Sequence, residues 1–197
     1  MPASRRITVA ITGASGAVYA QRLIQSLVAA GVHVHLIVSD LGRRLLADEL
    51  DMTTVDLDAL AGGAGKGRAI TPLAYRDVGA SVASGSYQTE GMVIIPCSNN
   101  KLAEFAHGLG DNLISRAVQV CLKERRKVVV VHREMPLGLI ELRNMVALAE
   151  AGAILCPANP GWYTRPQTVD DVVNMVVGRV LDLLNVEHQL HARWQGK

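Results

Sequence analysis

Five short apolar runs recur along the chain, at Ile7–Thr12, Val32–Val38, Met92–Pro96, Val128–Val131 and Ala153–Cys156. Four of them are nearly unbroken in apolar residues, which is how a strand reads when both its faces are covered. Val32–Val38 alternates instead, with His33 and His35 on one side, and predicts partly exposed sheet residues there rather than ligands. Between the runs the period changes. Ala20, Leu23, Ile24, Leu27 and Val28 recur at helical spacing, and Gly31 stands where a helix ends in a left-handed residue. Leu113, Ile114, Ala117, Val118, Cys121 and Leu122 trace a second helical face. Leu142, Met145, Val146 and Ala149 trace a third, stopped by Gly152, and Val172, Val173, Val176, Val177, Val180, Leu181 and Leu184 a last, long one.

Strands alternating with helices predict an α/β fold in one domain over residues 1–197. The sheet is expected to be parallel and doubly wound, with helices on both faces and right-handed crossovers. Gly62 to Gly67 is predicted to be a mobile connection, and residues 187–197 a tail docked through Trp194.

Composition narrows the core. Hydrophobic residues make up 49% and charged ones 19%, with two Trp, four Tyr and one Phe, so the interior must be built from Val, Leu, Ile and Ala. That suits a parallel sheet buried between helices. The formal charge of +2 and a short basic run, Lys123 to Lys127, imply neither nucleic acid nor membrane as a partner. Cys97, Cys121 and Cys156 are odd in number and lack metal-ligand spacing; with no secretory signal, the expected setting is reducing and cytoplasmic, and no metal is expected. No apolar run approaches the ~20 residues needed to span a bilayer.

The candidate chemistry lies where strands end. The first strand runs into Thr12-Gly13-Ala14-Ser15-Gly16-Ala17 directly before a helix, where glycines permit a sharp turn and free N–H groups attract an anion. Ser15 is placed to cap that helix or to donate to a ligand. The second strand ends in Ser39-Asp40 and the third in Pro96-Cys97-Ser98-Asn99-Asn100. In a doubly wound sheet such turns share one edge, the edge that binds ligands; Ser39 and Ser98 could equally cap the helices that follow. Arg116 and Lys123 lie on one face of their helix with Gln119 between them. The fourth strand leads into His132-Arg133-Glu134-Met135-Pro136, a fixed cation beside a carboxylate, and the last into Pro157-Ala158-Asn159-Pro160-Gly161-Trp162-Tyr163. Prolines and glycine stiffen that final loop, so it can hold an aromatic pair against a ring or phosphate. Glu49 and Glu134 are candidate proton handlers. No Ser-His-Asp set is evident. Spacing alone leads to a nucleotide-binding α/β enzyme.

Several long blocks then resemble the UbiX-type flavin prenyltransferases, in the wider flavoprotein group that includes cysteine decarboxylases. They are ITGASGAVYAQRL, SGSYQTEGMVIIPCS, DNLISRAVQVCLKERRKVVVVHREMPL and GAILCPANPGWYTRPQTVDDVVNMVVGRVLD. The resemblance implies a Rossmann- or flavodoxin-like fold. It implies transfer, without a metal, of a dimethylallyl group from its phosphate to N5 and C6 of reduced FMN. The prenylated FMN would serve a UbiD-type aromatic acid decarboxylase, and the enzyme would be a homo-oligomer, commonly a dodecamer, with sites between subunits. Carried over by position, Gly13, Ala14, Ser15, Ser39, Ser98, Asn99, Asn100, Lys101 and Arg133 resemble the FMN-contacting set. Tyr163 and Arg179 resemble the binders of dimethylallyl phosphate, and Arg116 and Lys123 the other cations around it. Ser15 and Glu49 would move protons at the flavin, Glu134 would act beside the departing phosphate, and Lys123 would face it. Two stretches depart from the resemblance: Asn99-Asn100-Lys101-Leu102-Ala103-Glu104 stands where Met-Lys-Thr-Leu-Ala-Gly is expected, and Gly138 to Arg143 replaces a Ser- or His-containing run. Two other readings stay open: an FMN-dependent cysteine decarboxylase-like flavoprotein, and a non-catalytic flavin-binding subunit of a decarboxylase.

Overall fold

The computed structural model describes residues 5–190. Trp194 and the rest of the tail from residue 191 lie outside them. The elements run β1 (Arg6–Ile11), α1 (Ala17–Ala29), β2 (His33–Val38), α2 (Asp40–Leu50), α3 (Leu57–Ala61), β3 (Ile70–Leu73), β4 (Gly91–Cys97), α4 (Asn99–Ala106), α5 (Leu113–Lys123), β5 (Lys127–His132), α6 (Leu139–Glu150), β6 (Ile154–Leu155) and α7 (Val169–Leu183). The six strands are parallel in the order β3-β2-β1-β4-β5-β6, the Rossmann-type order, which reverses between β1 and β4.

Alternation within the strands loads both faces of the sheet. Ile7, Val9 and Ile11 of β1, with Val93 and Ile95 of β4 and Val129 and Val131 of β5, pack under α1 and α7. Ala10, Met92, Ile94, Val128 and Val130 point the other way, against Leu102, Phe105, Leu113, Ile114, Ala117 and Val118 of α4 and α5. The near-continuous apolar runs are therefore two interleaved faces, each buried. Gly31 follows α1 at φ 73, the left-handed stop its position predicted.

The structure corrects three expectations. His35 is buried, 5% exposed, because Tyr87 covers it: the phenol hydroxyl lies 2.9 Å from His35 Nε2. The Gly62–Gly67 connection is a tied turn, with the Asp58 carboxylate accepting from Gly65 N at 3.0 Å and Gly67 N at 2.7 Å. A further strand, β3, sits at the sheet edge beyond β2, in a segment whose Pro72 and short length hide it from a search for apolar runs.

Candidate active site

β1 and β4 end side by side at the point where strand order reverses, and Thr12 fastens the two ends. Its hydroxyl donates to Pro96 O at 2.7 Å and accepts from Ser98 N at 2.9 Å. The turn after β1 packs just as closely on the turn after β2. A Cβ on Gly13 would come within 2.5 Å of Leu41 Cβ, and one on Gly42 within 2.5 Å of Ile11 O. Both positions need glycine for close approach.

The N-terminus of α1 is not open. Gly16 is its N-cap, and the carboxylate of Glu49 accepts from Gly16 N at 2.9 Å and Ala17 N at 2.8 Å. Glu49 thus does the capping that Ser15 was expected to do, and it occupies the anion position that the turn offers to a phosphate. Burial alone would raise the Glu49 pKa. Hydrogen bonds from Ser15, Ala17 and Gly16, with the charge of Arg133, outweigh that and hold it below the usual range. Arg133 completes the cluster by donating from Nε to Ser15 O at 3.0 Å.

Next to it lies a cavity of about 170 Å³, lined among others by Thr12, Gly13, Ser39, Ser98, Asn100 and Lys101. Ser39 and Ser98 do cap their helices, accepting from Gly42 N at 3.0 Å and Lys101 N at 3.5 Å. A capping hydroxyl spends a lone pair and keeps its proton, so each can still donate to a ligand. Capping and binding are compatible here. Lys101 is buried, its Nζ 2.5 Å from Glu104 Oε2 and 2.8 Å from the Tyr75 hydroxyl. Ser115 Oγ donates to Glu104 at 2.7 Å and Asn112 Nδ2 at 3.0 Å. Burial pushes the Glu104 pKa up, but the bonds from Lys101, Ser115 and Asn112 bring it below its ordinary value. This network was missed apart from Lys101. Its signal in the sequence is the i, i+3 spacing of a cation and a carboxylate on one helix.

Beyond β5, Glu134 stands opposite Asn99, whose Nδ2 donates to Glu134 Oε2 at 3.0 Å. Gly13, Ala14, Ser15, Ser39, Ser98, Asn99, Asn100, Lys101, Arg133 and Glu134 therefore gather at the β1–β4 edge, on the turns and helix starts that follow β1, β2, β4 and β5, and Glu49 reaches them from the last turn of α2. The donor set fits a flavin nucleotide: hydroxyls, turn amides and fixed cations for phosphate and ring oxygens, at the crevice where such sheets bind nucleotides.

Four of the predicted residues lie elsewhere in the chain. Tyr163 and Trp162 are exposed on the loop after β6, with Tyr163 against Gly161. Arg179 is exposed on α7, paired with Asp182 at 3.1 Å and near Cys156, where its charge opposes the rise that burial imposes on the thiol. Arg116 and Lys123 are exposed on α5, and Lys123 is its last residue, at the end of the helix from which β5 starts. Because β5 runs from there toward Arg133, one chain places Lys123 at the opposite edge of the sheet from Glu134.

The Flavoprotein family model matches residues 1–181. The chain belongs to that family. Flavin prenyltransferase UbiX of Escherichia coli K12 is 45% identical over 195 residues, covering 98% of this chain and 99% of the relative. The crystal structure of AnUbiX in complex with FMN and dimethylallyl pyrophosphate superposes with a TM-score of 0.90 at 37% identity, covering 98% of this chain and 99% of that one. A dodecameric FMN-dependent UbiX-like decarboxylase from Escherichia coli O157:H7 gives 0.86 at 40% identity, covering 98% and 100%. Among the described residues no helix is long and apolar enough to cross a membrane, and no group of His, Cys, Asp and Glu is placed to hold a metal ion.

Proposed function

We propose that this flavoprotein is a flavin prenyltransferase, moving a dimethylallyl group from its phosphate ester to reduced FMN. The observation that carries the reading is the pair Arg133–Glu134. One is tied to Ser15 and the other to Asn99, which sets a cation at the turn after β1 and a carboxylate at the start of α4. The cysteine decarboxylase alternative is not favoured, since the near full-length relatives are flavin prenyltransferases.

The chemistry divides between donor and acceptor. Breaking an allylic C–O bond leaves negative charge on phosphate, which cations held in place stabilise without a metal. Tyr163, Arg179, Arg116 and Lys123 are assigned to that phosphate, and Glu134 beside it handles its proton. Reduced FMN supplies the electron-rich ring carbon and nitrogen that become alkylated, so the protein needs no nucleophile of its own. Glu49, held ionised, accepts the hydrogen bond of Ser15 Oγ, which leaves the lone pairs of that oxygen free to accept a hydrogen bond from the ring. The reaction requires that water be kept from a developing allylic cation, which it would trap.

The site is assigned to more than one copy of the chain. A cavity of about 170 Å³ is small beside the roughly 300 Å³ at which ligand pockets begin. Leu139, Ile140, Leu142 and Val146 leave an apolar side of α6 exposed next to Glu134, a surface suited to another subunit. A neighbouring copy would bring its Arg116 and Lys123 to the phosphate, and a homododecamer is the assembly proposed. The product would pass to a UbiD-type decarboxylase in the cytoplasm.

Incubating the protein anaerobically with reduced FMN and either dimethylallyl phosphate or the diphosphate, then weighing the extracted flavin, tests the proposal. A flavin heavier by one five-carbon unit supports it. FMN returned unmodified with both donors intact refutes it.

A further inference from the structure

Asn99 is the first residue of α4, yet its side chain takes no part in starting that helix, because Ser98 caps it. It is turned toward β5 instead. The register between β4 and β5 shifts between Ile94 and Cys97, so Cys97 falls opposite His132. Two residues past the end of each strand, Asn99 therefore meets Glu134. Its Nδ2 lies 3.0 Å from Glu134 Oε2 and its Oδ1 2.6 Å from His132 Nε2.

Donor and acceptor roles follow from the chemistry. An ionised carboxylate only accepts, so the amide nitrogen of Asn99 must face Glu134 and its oxygen must face the imidazole. That oxygen only accepts, so His132 carries its proton on Nε2. His132 is 2% exposed and cannot turn away. Glu134 Oε1 accepts from Met135 N at 3.1 Å, so with Asn99 in place both carboxylate oxygens are anchored. Without Asn99, an exposed side chain with three rotatable bonds would keep one short local contact.

We propose that Asn99 is a positioning residue for Glu134, and that buried His132 fixes the Asn99 amide in the orientation that does so. This rests on the reading of Glu134 as the group beside the donor phosphate. The chain anchors the carboxylate at Asn99, and Arg133 at Ser15, before any substrate arrives.

Asn99→Leu removes both hydrogen bonds with little change in size. Losing a hydrogen bond to a charged group predicts a kcat for prenyl transfer lower by about tenfold to a hundredfold. FMN affinity, to which Asn99 is also assigned, should fall by a much smaller factor than kcat. His132→Gln keeps a donor near the Nε2 position and should retain activity, whereas His132→Phe should lose it. Unchanged kcat in Asn99→Leu, or kcat and FMN affinity falling by the same factor, overturns the proposal. A second arm uses the protein without substrates. Nitrogen NMR should find His132 protonated at Nε2, and the Asn99 side-chain amide signals should shift in Glu134→Gln. An imidazole protonated at Nδ1 alone overturns the hydrogen-bond chain. If the wild-type protein makes no prenylated flavin, the reading of the activity falls, and the NMR arm still decides the positioning of Glu134.

Discussion

Lys101→Met would strand a carboxylate. The Lys101 and Glu104 side chains are 7% and 17% exposed, with Nζ and Oε2 2.5 Å apart, so the pair is nearly withdrawn from water. Removing one partner of such a pair costs about 3–5 kcal/mol, mostly as the penalty of the charge left behind. Glu104 keeps hydrogen bonds from Ser115 and Asn112, which places Lys101→Met at the low end, about 3 kcal/mol. Glu104→Leu leaves the ammonium with the Tyr75 hydroxyl and should cost a similar amount. The double variant removes both charges and should lose about 3 kcal/mol in total, an interaction energy of about 2–3 kcal/mol. Urea unfolding at pH 7 with a common slope measures all three. The sign with pH is fixed as well. A carboxylate whose folded pKa is depressed below its ordinary 4.5 contributes stability above that value and loses it as pH falls through the folded one. The gap between wild type and Lys101→Met must therefore narrow in acid. A double variant that loses the sum of the two single losses would refute the coupling.

Three further perturbations separate other parts of the molecule. His35 titrates at about 4, pushed down by burial first and then by His33 and Arg6; the unfolded chain takes up a proton below about 6.5, so stability falls as pH drops from 6.5 toward 4. Between pH 7 and pH 5 that amounts to at most about 2 kcal/mol, and His35→Gln should lack this slope in urea unfolding; an identical slope sinks the assignment. Glu49→Gln weakens the cap on α1 and should cost about 1 kcal/mol. It should also slow turnover with FMN retained, and unchanged turnover would remove Glu49 from the mechanism. Lys123→Ala should raise the donor KM more than the FMN Kd if a neighbouring copy supplies it to the phosphate; an equal loss of both counts against that role.

The legible parts of this fold were those where one residue type solves one local problem. Gly31 ends α1 because a left-handed stop excludes most side chains, and Val129 and Val131 read as strand because both faces of β5 are covered. His35 was misread because its cover, Tyr87, lies 52 positions away in a segment without secondary-structure periodicity. Lys101 shows the same limit from the other side. Its departure from the expected Thr was visible, but the departure at Glu104 was its partner, and Tyr75, Asn112 and Ser115 join them from three other places in the chain. The two unusual residues are together a hydrogen-bonded ion pair that lines the cavity at the strand-reversal point.

The turn Gly13-Ala14-Ser15-Gly16 was expected to offer free amides to an anion, and the structure fills that position from within the chain. Its exposed amides do bind an anion, but the anion is Glu49 of the same chain. A helix N-terminus stabilises a carboxylate there by up to about 1 kcal/mol, and a carboxylate so held stays ionised and cannot wander. The positive end of α1 thereby fixes an ionised carboxylate beside Ser15, with Arg133 closing the same cluster from the end of β5. The hydroxyls of Ser39 and Ser98, which cap α2 and α4 and keep their protons, line the cavity beside it. The strand-reversal point thus holds an ionised carboxylate and a cavity side by side, the first at the start of α1 and the second at the starts of α2 and α4.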